Sequence, residues 1–321
     1  MKVLANDGIS AKAKAQLEAQ GIEVSTDHVE QTNLIDTLNE VGYAGILVRS
    51  ATKVRQDIID ACPNLKFIGR GGVGMDNIDV EYARSQGKVV FNTPSASSQS
   101  VAELVMAHLF AMSRSLHKSY RDMPSRGEAE FKTLKKAFAK GIELRGKTLG
   151  IVGFGRIGTA VAQYALGCGM HVIGSDRVGT TRTVKIQVPL GGAEVQEIEV
   201  NVPLVPLSEL LQTADAITFH VPAQPDGSPV LDAAGVASMK TGAMLVNTAR
   251  GGTVDEAAVS SAVASGHLRA AALDVFVGEP TPNPEVLQSE GLALTPHIGA
   301  ATLEAQDRIG DELVERILEL R

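Results

Sequence analysis

The feature that most constrains this chain is a run of glycines set between two different hydrophobic periods. Gly153-Phe154-Gly155-Arg156-Ile157-Gly158 follows an apolar stretch, Thr148-Leu149-Gly150-Ile151-Val152, and precedes a helical run from Thr159 to Leu166. A strand that turns into a helix through G-x-G-x-x-G has few ways to fold. Gly153 permits the tight turn, Gly155 lets a pyrophosphate approach the main chain, and Gly158 lets helix and strand pack closely. The free N–H groups at the helix start then face the anion. A second apolar run, His171-Val172-Ile173-Gly174-Ser175, ends at Asp176. A carboxylate about 20 residues past the glycines can accept both hydroxyls of an adenosine ribose and repels a 2′-phosphate. The expected cofactor is NAD. Arg177 acts in the opposite sense, because a guanidinium accommodates the extra phosphate.

With 321 residues the chain is longer than one core usually supports, so two domains with a cleft between them are expected. Thirty basic against 37 acidic residues give a net charge of −7. That excludes a general attraction to nucleic acid or anionic membranes, and an anionic substrate must be held by local basic groups. Cys62 and Cys168 are the only cysteines and lack metal-ligand spacing, so no disulfide framework and no metal site is expected. The opening Met1-Lys2-Val3-Leu4-Ala5-Asn6 enters a strand directly, without a signal-peptide apolar region, and no apolar run is long enough to span a bilayer. A reduced, cytoplasmic protein is expected. The scarcity of aromatics (4%, no Trp) beside 44% hydrophobic residues points to a core of Val, Ile, Leu and Ala, which suits parallel strands covered by helices.

Short apolar strands alternate with helical patterns from the start: Lys2 to Asn6, a helix from Ser10 to Ala19, Glu23 to Ser25, a helix near Thr32 to Glu40, Gly45 to Arg49, a helix around Gln56 to Ala61, and Lys66 to Gly69. This half lacks the glycine fingerprint and is read as a substrate domain. The fold class is α/β, with a Rossmann-type doubly wound parallel sheet over 99–299 and a smaller flavodoxin-like α/β substrate domain over 1–98 and 300–321. A long helix is expected from Ser100 to Leu116, with apolar residues to spare for packing on a second subunit. The last helix, Leu303 to Leu320, returns to the first domain, so the chain crosses twice and a hinge is expected. Residues 183–202 alternate with period two around Gly191-Gly192, which predicts a β-hairpin near the adenine end of the cofactor, structural or oligomeric in role.

Further strands end near three chemically distinct residues, Arg250, Asp274 and His297. Ligands of open parallel sheets bind beyond the carboxyl ends of the strands. Moving a hydride off a secondary alcohol requires its hydroxyl proton to leave as well, and an imidazole, titrating near neutrality, suits that task. His297 is the candidate base. Glu279 is placed to orient the ring, and Arg250 offers a rigid fork of donors for a carboxylate beside the reacting carbon.

At these residues the chain resembles the D-isomer-specific 2-hydroxyacid dehydrogenases over nearly its whole length. The resemblance rests on Val48 to Val54, Gly69 to Asp79, Asn92-Thr93-Pro94, Leu144 to Ile151, the glycine run, Asn247 to Gly252, Ala272 to Phe276, Glu279-Pro280 and Thr295 to Ala300. It implies catalytic roles for Arg250, Glu279 and His297. It also implies cofactor contacts at Arg156, Ile157, Asp176, Val221, Thr248 and Asp274, with Val73 near the nicotinamide. Substrate contacts are implied at Arg49, Ser50, Arg70 and Gly72. Lys136, beside Lys135, matches a basic position of the family and also fits a solvated helix face. The implied partner is a phosphorylated small-molecule hydroxy acid, 3-phospho-D-glycerate, oxidised in a homodimer or homotetramer. Glycerate, glyoxylate or hydroxypyruvate is the alternative substrate. The fold is also similar to NADH-sensing corepressors, but no basic or disordered tail supports that reading. Longer relatives carry serine-binding regulatory domains, so feedback of that form is not expected here.

Overall fold

The computed structural model describes residues 1–192 and 194–320. Ala193 in the hairpin, and Arg321 at the end of the segment assigned to the substrate domain, lie outside the described residues. Two compact units are formed, Met1–Ser100 with Ala300–Arg321, and Val101–Gly299.

The first unit runs β1 (Lys2–Ala5), α1 (Ala11–Ala19), β2 (Glu23–Ser25), α2 (Leu34–Val41), β3 (Gly45–Val48), α3 (Gln56–Ala61), β4 (Phe67–Arg70), α4 (Val80–Ser85) and β5 (Val89–Asn92). Its strands pair in parallel in the order β2-β1-β3-β4-β5, the flavodoxin-like order. β3 is buried along its whole length, as a parallel strand covered on both faces must be. Ser10 caps α1 by accepting the Ala13 N–H, so the helix starts where its first orphan donors find a side-chain oxygen.

The second unit contains α5 (Ser98–Ser113), which begins at the unit boundary, then α6 (Leu116–Ala137), β6 (Thr148–Val152), α7 (Arg156–Gly167), β7 (His171–Ser175), β8 (Thr181–Gly191), β9 (Glu194–Pro203), α8 (Leu207–Thr213), β10 (Ala216–Phe219), α9 (Ala233–Ser238), β11 (Met244–Asn247), α10 (Glu256–Ala264), β12 (Ala270–Leu273), α11 (Pro284–Leu287) and β13 (Leu292–Leu294). Its six-stranded parallel sheet has the order β13-β12-β11-β10-β6-β7. The chain leaves β6 towards β7 on one side and later returns to β10 on the other. That reversal makes the end of β6 a topological switch point, the place where open α/β sheets bind ligands. After this unit the chain re-enters the first one as α12 (Leu303–Leu318), capped by Thr302. Among the described residues no helix is long and apolar enough to cross a membrane.

Two local outcomes differ from the sequence expectation. The helix expected from Ser100 to Leu116 is interrupted: α5 stops at Ser113, Ser115 takes a left-handed φ of 54°, and α6 starts afresh at Leu116. Its apolar period carries on across the break, so periodicity alone does not reveal it. The hairpin is longer than 183–202, pairing Thr181 with Pro203 at its base. Val184 and Val202 are buried in the core beneath it, whereas Leu190, Val195 and Ile198 are exposed.

Candidate active site

The glycine turn joins β6 to α7. Gly153 has a φ of 90°, and a Cβ there would stand 2.5 Å from the His220 carbonyl and 2.7 Å from Val221 Cγ1. A Cβ on Gly158 would collide with the Gly153 carbonyl. Both glycines are therefore required by the protein's own packing. Gly155 differs: nothing lies within 4 Å of its missing Cβ. The outer side of the turn is open at a helix start, where main-chain N–H groups would meet an anion, and only a residue without a side chain keeps it so. At the end of β7, Asp176 accepts the Phe154 N–H at 3.1 Å and the Arg177 N–H at 2.6 Å, while Arg182 from the hairpin approaches at 3.5 Å. Beyond β10 and β11, His220 Nδ1 and Thr248 Oγ1 are buried and lack a hydrogen-bond partner among the described residues. An open cradle at a helix start, a carboxylate at the next strand end and two unpaired polar atoms fit a dinucleotide. His220 donates to or accepts from Thr218 Oγ1 at 3.0 Å, and burial pushes its ring down to about 3, so it stays neutral.

The proposed catalytic residues come from three successive strand-end loops of the same sheet. Asn247, fully buried at the end of β11, folds the first loop by donating to the Arg250 carbonyl at 2.9 Å and accepting the Ala249 N–H at 3.1 Å. The next glycine, Gly251, packs so tightly that a Cβ would strike the Phe276 carbonyl of the following loop. In that loop Glu279 accepts the Phe276 N–H at 2.8 Å through Oε1, and its Oε2 lies 2.7 Å from His297 Nδ1. Burial alone would raise the Glu279 carboxyl. The hydrogen bonds from His297 and Phe276 and the charges of His297 and Arg250 outweigh it and hold the group below the usual carboxylate value. The pairing engages Nδ1 and leaves Nε2 as the ring nitrogen available for proton transfer.

His297 itself has a left-handed φ of 54°, a conformation that costs a non-glycine residue about 1–2 kcal/mol. Its neighbours are held by Asp274, whose carboxylate is buried and accepts the Thr295 hydroxyl at 2.6 Å, the Ile298 N–H at 2.9 Å and the Gly299 N–H at 2.8 Å. Asp274, which the resemblance implies as a cofactor contact, also supports the loop that carries the imidazole.

The other residues singled out from the sequence distribute as follows. Arg156 opens α7, with Ile157 next to it half-buried, and Val221 follows His220 at the switch point. In the first unit, Arg49 and Ser50 follow β3 in a turn held by Asp7, which accepts the Arg49 N–H at 2.6 Å and the Thr52 hydroxyl at 2.6 Å, and by Asn77, which donates to the Arg49 carbonyl at 2.7 Å. Arg70 ends β4 with its guanidinium laid against Gly72, whose φ of 143° is a conformation that residues with side chains rarely adopt. Val73 is partly exposed, and its carbonyl accepts from Asn92 at 2.6 Å. Lys136 lies in the last turn of α6 with Lys135, where positive charge complements the helix dipole.

Several residues of this architecture carried no signal in the sequence. Glu256, buried at the start of α10, accepts the Val277 N–H at 2.7 Å and so ties the Arg250 loop to the Glu279 loop; its carboxyl is raised, chiefly by burial. Thr295, His220 and Asp7 are likewise polar residues inside motifs whose apolar neighbours draw the eye. The partners of Thr295 and Asp7 are distant in sequence, so no spacing rule exposes them.

Residues 106–299 match the family described as D-isomer specific 2-hydroxyacid dehydrogenase, NAD binding domain. Hydroxypyruvate reductase of Thermotoga maritima is 41% identical over 321 residues, covering 98% of this chain and 97% of that protein. D-3-phosphoglycerate dehydrogenase of Methanocaldococcus jannaschii is 40% identical over 319 residues, covering 99% of this chain but 57% of that protein. The chain thus spans somewhat more than half of this longer relative. Among solved structures, the TT0316 protein from Thermus thermophilus superposes with a TM-score of 0.83 at 32% identity, over 99% of this chain and 96% of that one. With its glycine cradle and its imidazole–carboxylate pair, this NAD-binding chain belongs to the D-isomer-specific 2-hydroxyacid dehydrogenase family.

Proposed function

We propose that the chain oxidises 3-phospho-D-glycerate to 3-phosphohydroxypyruvate with NAD, the first step of L-serine biosynthesis, in the cytoplasm and as a homodimer or homotetramer. The carrying observation is the 2.7 Å pairing of His297 Nδ1 with Glu279, which leaves Nε2 for the substrate. NAD, when bound, supplies the hydride acceptor; Gly153, Gly155, Arg156, Ile157, Gly158, Asp176, Val221, Thr248 and Asp274 would hold it, with Val73 near the nicotinamide. His297 Nε2 takes the hydroxyl proton as the C–H bond yields its hydride, so that the alcohol becomes a carbonyl. Glu279 keeps a negative charge beside the ring that receives the proton. Arg250 grips the substrate carboxylate and polarises the new carbonyl.

The phosphate would be recognised by the guanidinium groups of Arg49 and Arg70, with Ser50, Gly72 and Lys136 as further contacts. Exposed Phe110, Tyr120 and Phe131 on α5 and α6 support self-association. A second reading, reduction of unphosphorylated hydroxypyruvate, is favoured by the near full-length likeness to the Thermotoga maritima reductase. The two are separated by kcat/KM for 3-phospho-D-glycerate against D-glycerate, and for the two matching ketoacids in reverse. A preference for the phosphorylated partners of at least about 100-fold is expected if a guanidinium pair is built for phosphate. Equal rates, or preference for the unphosphorylated pair, would replace the first reading with the second.

A further inference from the structure

The loop that carries His297 is anchored to a helix that plays no part in the chemistry described so far. Thr295 and Ile298-Gly299 straddle His297, and all three are bonded to the one Asp274 carboxylate. Because the Thr295 hydroxyl gives its proton to Asp274, the same oxygen is left with lone pairs only. His108, buried on α5, reaches it through Nε2 at 3.2 Å. The ring must then carry its proton on Nε2, since a hydroxyl already committed as donor can only accept. Burial lowers the affinity of this imidazole for a second proton, with Asp274 acting weakly the other way, which agrees with a neutral donor.

We propose that His108 is a positioning residue for His297, acting through the chain His108 Nε2–H to Thr295 Oγ1–H to Asp274. The proposal rests on the catalytic reading of His297 given above. A histidine in a left-handed conformation needs its flanks over-determined. Two backbone N–H groups fix the loop after His297, and on the other side the side-chain tie among the described residues is the Thr295 hydroxyl. If that hydroxyl were free to rotate away from the carboxylate, the segment before His297 would lose its anchor. His108 removes that freedom: it fills the oxygen's acceptor side from within the apolar face of α5, so the hydroxyl proton has one favourable direction. The helix stripe Val105, His108, Leu109 and Met112 therefore contains one polar member with a specific partner, although its spacing is that of core packing.

The test compares His108→Leu and Thr295→Val, which break the chain, with His108→Gln and Thr295→Ser, which preserve an N–H donor and a hydroxyl. Two readouts are taken on the full-length protein: steady-state kinetics with the D-2-hydroxy acid that the wild type prefers, and amide hydrogen exchange across 295–299. In the breaking variants kcat should fall about tenfold, a fraction of the roughly 100-fold cost of a 1 Å misplacement. NADH affinity should stay within about twofold, and the Ile298 and Gly299 amides should exchange at least about tenfold faster. The conservative variants should recover most of both losses. Wild-type kcat in His108→Leu would overturn the proposal whether or not exchange quickens, and so would failure of His108→Gln and Thr295→Ser to recover. A wild type that turns over no 2-hydroxy acid would instead sink the catalytic reading itself, and the proposal with it, irrespective of the exchange data.

Discussion

Two loops on the same edge of the six-stranded sheet are built in opposite ways. The Gly153–Gly158 turn is made by removing side chains: two of its glycines are demanded by contacts with His220, Val221 and the turn's own carbonyl, and Gly155 leaves the outer side open. The 295–299 loop is made by adding a buried charge, since Asp274 binds it from the end of β12. The first is written in a contiguous motif, although Gly153 also packs on the distant His220 and Val221, and the second depends on a partner more than twenty positions away. On the function proposed above, a cradle for one invariant pyrophosphate is served by bare backbone, and an imidazole aimed at a reacting atom is served by polar ties that fix its direction.

The comparison predicts distinct failures. His297→Gln should lower kcat by about 10³-fold, within the range of general acid–base catalysis, and leave NADH binding within a few-fold of wild type. Fluorescence titration beside steady-state assays would check this, and loss of NADH affinity alone would assign the loop to the cofactor instead. Gly155→Val should do the reverse. A Cβ there meets no protein atom within 4 Å, so the melting temperature should stay within about 2 °C, while NADH affinity falls by at least about 100-fold. Destabilisation without loss of binding would show that the turn's open side is not where the dinucleotide lies.

The same contrast explains what could be read in advance. Strand, glycines, helix and Asp176 form a contiguous pattern whose physics is local, and the strands at Thr148–Val152, His171–Ser175 and Ala270–Leu273 fall where their apolar runs place them. Arg250, Asp274 and His297 stood out because a guanidinium, a carboxylate and an imidazole follow strands of one series, and Glu279 as a carboxylate able to orient the ring. Their supports did not. Asn247, Glu256, Thr295 and Asp7 act on groups brought close only by the sheet order, and the break at Ser115 hides inside an unbroken apolar period. Sequence patterns report the period of an element. They do not report which distant carbonyl or hydroxyl a buried polar group will meet.

Smaller effects refine the comparison. Arg49→Ala should raise KM for 3-phospho-D-glycerate by about 10- to 100-fold with little change for D-glycerate, the signature of a lost charge-assisted contact. Parallel changes for both substrates would move Arg49 from phosphate recognition to loop structure. The smallest effect concerns pH. His220 is held neutral down to about 3 in the fold but protonates near its ordinary 6.5 when unfolded. Between those values the unfolded state binds the extra proton, so stability falls as pH falls, with a slope approaching about 1.4 kcal/mol per pH unit. Glu279, held below its ordinary value, adds stability that is present above about 4.5 and is lost only as pH drops through its lowered folded value. Urea unfolding of wild type and His220→Asn at pH 6.5 and 4.5 separates the two, because the asparagine variant should lose less stability over that interval. An identical loss in both proteins would show that His220 is not the group responsible.

The central claim is that one imidazole, ordered by Glu279, exchanges a proton with the substrate as the hydride moves. The most direct measurement is kcat/KM against pH for the wild type in both directions, with hydroxy acid and NAD, and with ketoacid and NADH. The account predicts mirror-image profiles, oxidation rising and reduction falling with pH through one shared ionisation. Profiles that are flat, or that move in the same direction, would contradict it.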